Sequence, residues 1–147
     1  MEKIETLFFY ILDKTIRTHR QYTQNRLRMQ GYPLTIDQWL LLTAISQKSN
    51  LTQAELCNTI FKDKGSLTRM IDLLQKKQLL KKTENASDKR KWQVSLTKKG
   101  EQLLLELESI VYTNRKLSLE GISDTEIQMV KDVLVKVMQN CNKYFNP

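Results

Sequence analysis

At 147 residues the chain is the size of one domain, and its 24 Lys and Arg against 16 Asp and Glu leave a formal charge of +8. An apolar content of 40% excludes a disordered basic tail, and only four Gly and two Pro exclude a turn-rich sandwich or a collagen-like chain. A folded, basic, mostly helical protein is expected. Glu2 and Glu5 stand where a secretory leader needs net positive charge, and no apolar run approaches the roughly 20 residues of a membrane-spanning helix. A cytoplasmic protein with no membrane partner is therefore expected. Cys57 and Cys141 lack CxxC spacing and read as reduced, buried thiols, so neither a metal nor another cofactor is expected.

The charge is unevenly placed. Residues 1–75 carry a net +3, residues 76–99 a net +7 and residues 100–147 a net −2. A local excess of this kind attracts a polyanion more effectively than charge spread over a surface, and a phosphate backbone is its natural partner. A merely solvated, solubilising surface is the alternative that charge alone leaves open.

In chain order, Ile4, Leu7, Phe8, Ile11, Leu12 and Ile16 fall at helical spacing, predicting one long amphipathic helix over 4–29, ended by Gly31 and Pro33. Thr35 to Gln38 reads as a capping box with Leu34 and Trp39 as its apolar staple, opening a helix to about Gln47. Thr52 to Glu55 repeats the device, stapled by Leu51 and Leu56, for a short helix to about Phe61. A third helix, about Lys64 to Lys77, buries Leu67, Met70, Ile71 and Leu74 and turns Gly65, Thr68, Arg69 and Asp72 outward. Two helices so joined, with a small basic outer face on the second, form a helix-turn-helix.

From Leu79 the period shortens to about two. Residues 79–84 and 92–96 read as paired strands around a loop at 85–91, which is a wing. Thr97 can cap the next helix, whose stripe of Leu103, Leu104, Leu107, Ile110, Val111, Asn114 and Leu117 ends near Gly121. A last capping box at Ser123 to Glu126 opens a helix with Ile127, Val130, Leu134, Val137, Met138, Cys141, Tyr144 and Phe145 on one face. Three long apolar helices exceed what a small winged lobe needs for its own core. A two-fold dimer is the simplest use for that surface, with a monomeric helical bundle as the other.

Residues 88–100, DKRKWQVSLTKKG, resemble the wing signature of the MarR family of transcription regulators: Asp, one residue, Arg, then a strand ending in Leu-Thr before a Gly. TRMIDLLQKKQLL at 68–80 is similar to the recognition helix of that family, and LTIDQWLLLTAI at 34–45 and LTQAELCNTIF at 51–61 to the two helices before it. The resemblance implies a mostly α fold with a small β-hairpin wing, as one domain over 1–147. Within it, 34–100 would be the winged helix-turn-helix lobe, and 4–30 and 101–145 the dimerisation helices. Gln78 stands where the family usually has Gly, so either it takes a helix-terminating conformation at some cost or the helix end differs slightly here, and Lys82 stands where Arg is common.

The function expected is a DNA-binding regulator and not an enzyme: a homodimeric repressor on an inverted-repeat duplex. A single His without a Gly-rich phosphate loop, GxSxG or HExxH offers no catalytic constellation. A basic winged-helix module for RNA or a protein partner is the competing reading. Lys64, Ser66, Thr68 and Arg69 are the candidates in the major groove, with Arg69 suited to a bidentate contact with guanine. At the wing, Lys89, Arg90 and Lys91 are the minor-groove candidates, and Asp88 would brace the tip by pairing with Arg90 or capping the turn. Lys76, Lys77, Lys81, Lys82, Lys98 and Lys99 are backbone contacts or plain solvated charge. The resemblance also implies a small-molecule effector pocket, for which Arg17, His19, Tyr22 and Trp39 are the candidates.

Overall fold

A computed structural model of the chain describes residues 1–88 and 90–145. Among these, six α-helices flank one two-stranded antiparallel sheet. The first helix is shorter than the apolar period predicts. Ile4–Thr6 forms a 3-10 turn, Leu7 is extended, and α1 runs Phe8–Met29. The N–H and hydroxyl of Thr6 both donate to Lys3 O, the acceptor a continuous helix would offer to Leu7, so the helix restarts one residue later. At the far end Gly31, at φ +79°, takes the left-handed turn that lets Tyr32 N–H reach back to Leu27 O.

Both expected capping boxes form. At α2 (Ile36–Gln47) the Gln38 N–H donates to Thr35 Oγ1 at 3.1 Å, and Gln38 Oε1 accepts from Thr35 N–H at 3.1 Å. At α3 (Gln53–Ile60) Glu55 and Thr52 exchange the same bonds at 2.8 and 3.1 Å. These satisfy N–H groups that a helix start otherwise leaves orphaned. Gln24 of α1 then clamps the loop into α2, donating to Leu34 O and accepting from Ile36 N–H.

Helix α4 (Lys64–Lys76) buries Leu67, Ile71 and Leu74 completely against Leu41 and Leu42 of α2 and Leu56 and Ile60 of α3, while Met70 is half-buried. Each such leucine contributes about 2 kcal/mol of apolar burial, so the three-helix core outweighs any single surface contact. The wing follows with β1 (Leu80–Glu84) and β2 (Trp92–Leu96), in register from Leu80 opposite Leu96 to Glu84 opposite Trp92. Trp39 and Trp92 both pack on the core, and Lys82 Nζ lies 4.7 Å over the Trp92 ring.

Helix α5 (Lys98–Ser118) starts under Thr97, whose Oγ1 accepts from Gly100 N–H at 3.1 Å and donates to Gln78 O at 2.6 Å. One hydroxyl thus caps α5 and ties it to the end of α4. Gly100 is required by proximity: a Cβ there would collide with the Leu79 carbonyl oxygen and lie 3.2 Å from its carbon.

The chain divides into two compact units, residues 1–114 and the segment from Arg115 onward. In the second unit the turn at Gly121 (φ +76°) leads into α6 (Asp124–Phe145), opened by the expected box between Ser123 and Glu126. Helix α6 buries no residue fully, and Met129, Val130, Val133, Met138, Tyr144 and Phe145 are exposed. Cys141 is exposed and Cys57 half-buried, which corrects the expectation of two buried thiols: α6, which carries Cys141, buries no residue fully. No helix among the described residues is long and apolar enough to cross a membrane.

Candidate nucleic-acid interface

The start of α4 is organised by its cap. Asp63 Oδ1 accepts from Ser66 N–H at 2.7 Å, the Ser66 hydroxyl donates to Asp63 Oδ2 at 3.2 Å, and Arg69 Nη2 donates to Ser66 Oγ at 3.1 Å. The Ser66 backbone N–H, and after it the Ser66 hydroxyl, hold the Asp63 carboxyl below the usual aspartate range. Lys64 and Arg69 are exposed. Ser66 and Thr68 are half-buried, less open than the helical period suggests, and the Thr68 hydroxyl turns back to Lys64 O at 2.9 Å. Arg69 therefore leans on its own helix through a neutral hydroxyl and makes no ion pair with Asp63 or Asp72.

A second acid holds the turn before α4 in place. Asp37, in the first turn of α2, receives Arg20 Nη1 of α1 at 2.8 Å and Lys62 Nζ at 3.0 Å. Burial alone would raise its carboxyl, but the bonds from Arg20 and Lys62 outweigh that and hold it below the ordinary range. These three residues were not singled out in the sequence, where nothing local links positions 20, 37 and 62.

The other end of α4 is closed. Gln78 adopts φ +60°, so of the two alternatives the left-handed, helix-terminating conformation is the one formed. Its N–H donates to Gln75 O at 2.8 Å and Leu79 N–H to Leu74 O at 2.9 Å, a Schellman termination with Leu74 and Leu79 both buried. Lys77 Nζ donates to Pro33 O at 2.6 Å and Lys99 Nζ to Lys77 O at 3.0 Å. These two lysines, read as phosphate contacts or free charge, are spent on backbone carbonyls.

At the wing tip Asp88 braces the turn through the backbone. Arg90 N–H donates to Asp88 Oδ1 at 3.0 Å and Lys91 N–H to Asp88 O at 3.0 Å, while Asn85 Oδ1 accepts from the N–H and hydroxyl of Ser87. Of the two braces expected, the turn cap is the one formed, and the Arg90 side chain stays exposed. Lys91 is exposed too, and Lys89 lies outside the described residues.

Among the described residues the ion pairs are Arg17–Asp13, Arg20–Asp37, Lys48–Glu55 and Lys62–Asp37. None neutralises a base of α4 or of the wing. Among the described residues the bases of 76–99 therefore form no ion pair, and the start of α4 presents Lys64 and Arg69.

A mostly apolar cavity of about 440 Å³ lies between the α1–α2 loop, the end of α4 and the start of α5. Tyr32, Leu34, Leu79 and Leu103 line it, with Lys77, Lys99, Gln102 and Glu106 at its polar edge. Arg17, His19, Tyr22 and Trp39 do not. Arg17 is exposed and bound to Asp13 one turn earlier, His19 stands beside Tyr22 with ring centroids 6.4 Å apart, and Trp39 packs on the core. The cavity is walled instead by residues distant in sequence that meet where α4 ends.

Residues 31–91, which span α2 through the wing loop, match the MarR family model. The fold matches solved structures over nearly the whole chain. The transcriptional regulator PA3341 is 27% identical with a TM-score of 0.80, over 93% of this chain and 99% of its own. A mutant MarR from E. coli, complexed with operator DNA, is 21% identical with a TM-score of 0.81, over 93% and 99%. Bordetella bronchiseptica BpsR, described for regulation of its DNA binding by 6-hydroxynicotinic acid, is 19% identical with a TM-score of 0.83, over 94% and 97%. With the helix-turn-helix and the wing in place, the chain has the winged helix-turn-helix fold of these solved regulators, and its residues 31–91 are similar to the MarR family.

Proposed function

We propose that the protein is a homodimeric repressor that binds an inverted-repeat DNA duplex, with α4 in the major groove and the wing in the minor groove. The observation that carries this is the unneutralised charge of α4 and the wing. Free lysine and arginine side chains release counterions from a phosphate backbone, whereas paired ones have already lost that capacity. Lys64 and Arg69 sit at the open start of α4, where base edges are read, and Arg90 sits at a wing tip whose backbone is fixed by Asp88. That the E. coli neighbour of the same fold was solved in complex with operator DNA supports DNA as the partner. The exposed apolar side chains of α1, Phe8, Phe9, Ile11 and Ile16, and of α6 supply the surface for a second copy. Two copies would place their recognition helices roughly 34 Å apart, one helical turn of DNA. The cavity at the end of α4 is the effector site in this reading, and a regulator acting on DNA in this way works in the cytoplasm.

Selection of bound duplexes from random-sequence DNA, repeated with a panel of small molecules, tests the reading. It expects an imperfect inverted repeat, affinity that falls steeply with salt, and sedimentation at twice the chain mass of 17.3 kDa. Binding without sequence preference, or preference for RNA, would overturn it in favour of a general basic module.

A further inference from the structure

Phe61, in the turn between α3 and α4, has the left-handed backbone conformation at φ +56°, ψ +44°, and 87% of its surface is exposed. A bulky side chain pays for that conformation, while glycine adopts it freely. Burial does not offset the strain here, because the ring touches solvent. The conformation is enforced from both sides: Lys62 N–H donates to Cys57 O at 3.1 Å, Lys62 Nζ is held by Asp37, and Asp63 caps α4. The backbone at Phe61 is thus held between two helices, on a residue the sequence marks only as the end of α3. Backbone strain of this kind persists where the surroundings over-determine it, and it concentrates at functional sites.

We propose that Phe61 reads DNA, its ring packing against the C5-methyl group of a thymine in the major groove beside the start of α4. This rests on the docking described above. Phe61 lies three residues before Lys64, so it stays within roughly 11 Å of the first turn of the recognition helix. Apolar contact with the thymine methyl is the one base-edge signal a hydrocarbon side chain can read. A protein partner is the poorer occupant. Ile60 is buried and Lys62, Asp63 and Lys64 are charged, so no chain neighbour extends the ring into an apolar patch of the size such a partner needs.

The test uses the full chain and the duplex recovered by selection, in two versions, one with dT and one with dU in place of dT at each half-site position in turn. Wild type should bind one dU version about fourfold more weakly, the effect of losing one buried methyl. Phe61→Gly should weaken binding to the dT duplex by about the same factor and be indifferent to dU, while relief of backbone strain raises its Tm by about 2–4 °C. Phe61→Asn, which keeps the left-handed turn without the ring, should bind like Phe61→Gly. Equal sensitivity of wild type and variants to dU, or unchanged affinity of both variants for the dT duplex, overturns the contact. A wild type that selects a duplex and ignores dU overturns the contact alone. A wild type that selects none overturns the DNA docking and the contact with it.

Discussion

The two ends of α4 are built to opposite specifications. Its start holds exposed Lys64 and Arg69 around a short network of Asp63 and Ser66 that is internal to the helix. Its end is fastened to the rest of the lobe by the Schellman turn at Gln78, the Thr97 hydroxyl, the Lys99 ammonium and the fit of Gly100 against Leu79. One end is tied to the rest of the lobe, and the other leaves Lys64 and Arg69 exposed, with Arg69 bonded only within its own helix.

Substitutions should respect that division. Gly100→Ala forces a methyl into the Leu79 carbonyl, and we expect a loss of roughly 3 kcal/mol in urea unfolding, since a backbone atom cannot swing aside as a side-chain tip would. Arg69→Ala should cost about 2 kcal/mol of binding to the selected duplex and relax preference at one position per half-site, with Tm unchanged. A fall in Tm with intact binding would reverse the roles of the two ends. Gln78→Gly should stabilise the fold by about 1 kcal/mol, because the turn is already made and only its strain is removed.

The smallest effect concerns acid. Because Asp63 has its carboxyl depressed in the fold, its stabilisation is complete above the ordinary aspartate value and disappears as pH falls through the depressed one. Asp63→Asn keeps an N-cap acceptor but not the charge, so the variant should be somewhat less stable than wild type at neutral pH, lose less stability on acidification in that window and converge with wild type below it. Equal acid profiles would show that the Asp63 charge contributes nothing to α4. Asp37 follows the same sign and will remain in the background of both profiles.

Features set by a few adjacent residues were legible in the sequence. The capping boxes at Thr35, Thr52 and Ser123 and the strand pairing of the wing follow from local chemistry, while Gln78 is marked by the resemblance alone, which leaves its left-handed turn and a different helix end both open. What escaped depends on atoms far apart in sequence. Lys77 and Lys99 look like solvated charge until Pro33 and the end of α4 are brought beside them. The halt at Leu7 is invisible to apolar period, because the choice of Thr6 to bond Lys3 is made by a hydroxyl. The cavity is likewise walled by residues around 32–34, 77–79 and 99–106, which only the fold brings together.

Thr97, Lys99 and Gly100 meet residues 77–79 within a single turn of α5. Positions 97–100 therefore hold the foot of α4 and the base of the wing at once, so a change at this one corner reaches both elements together.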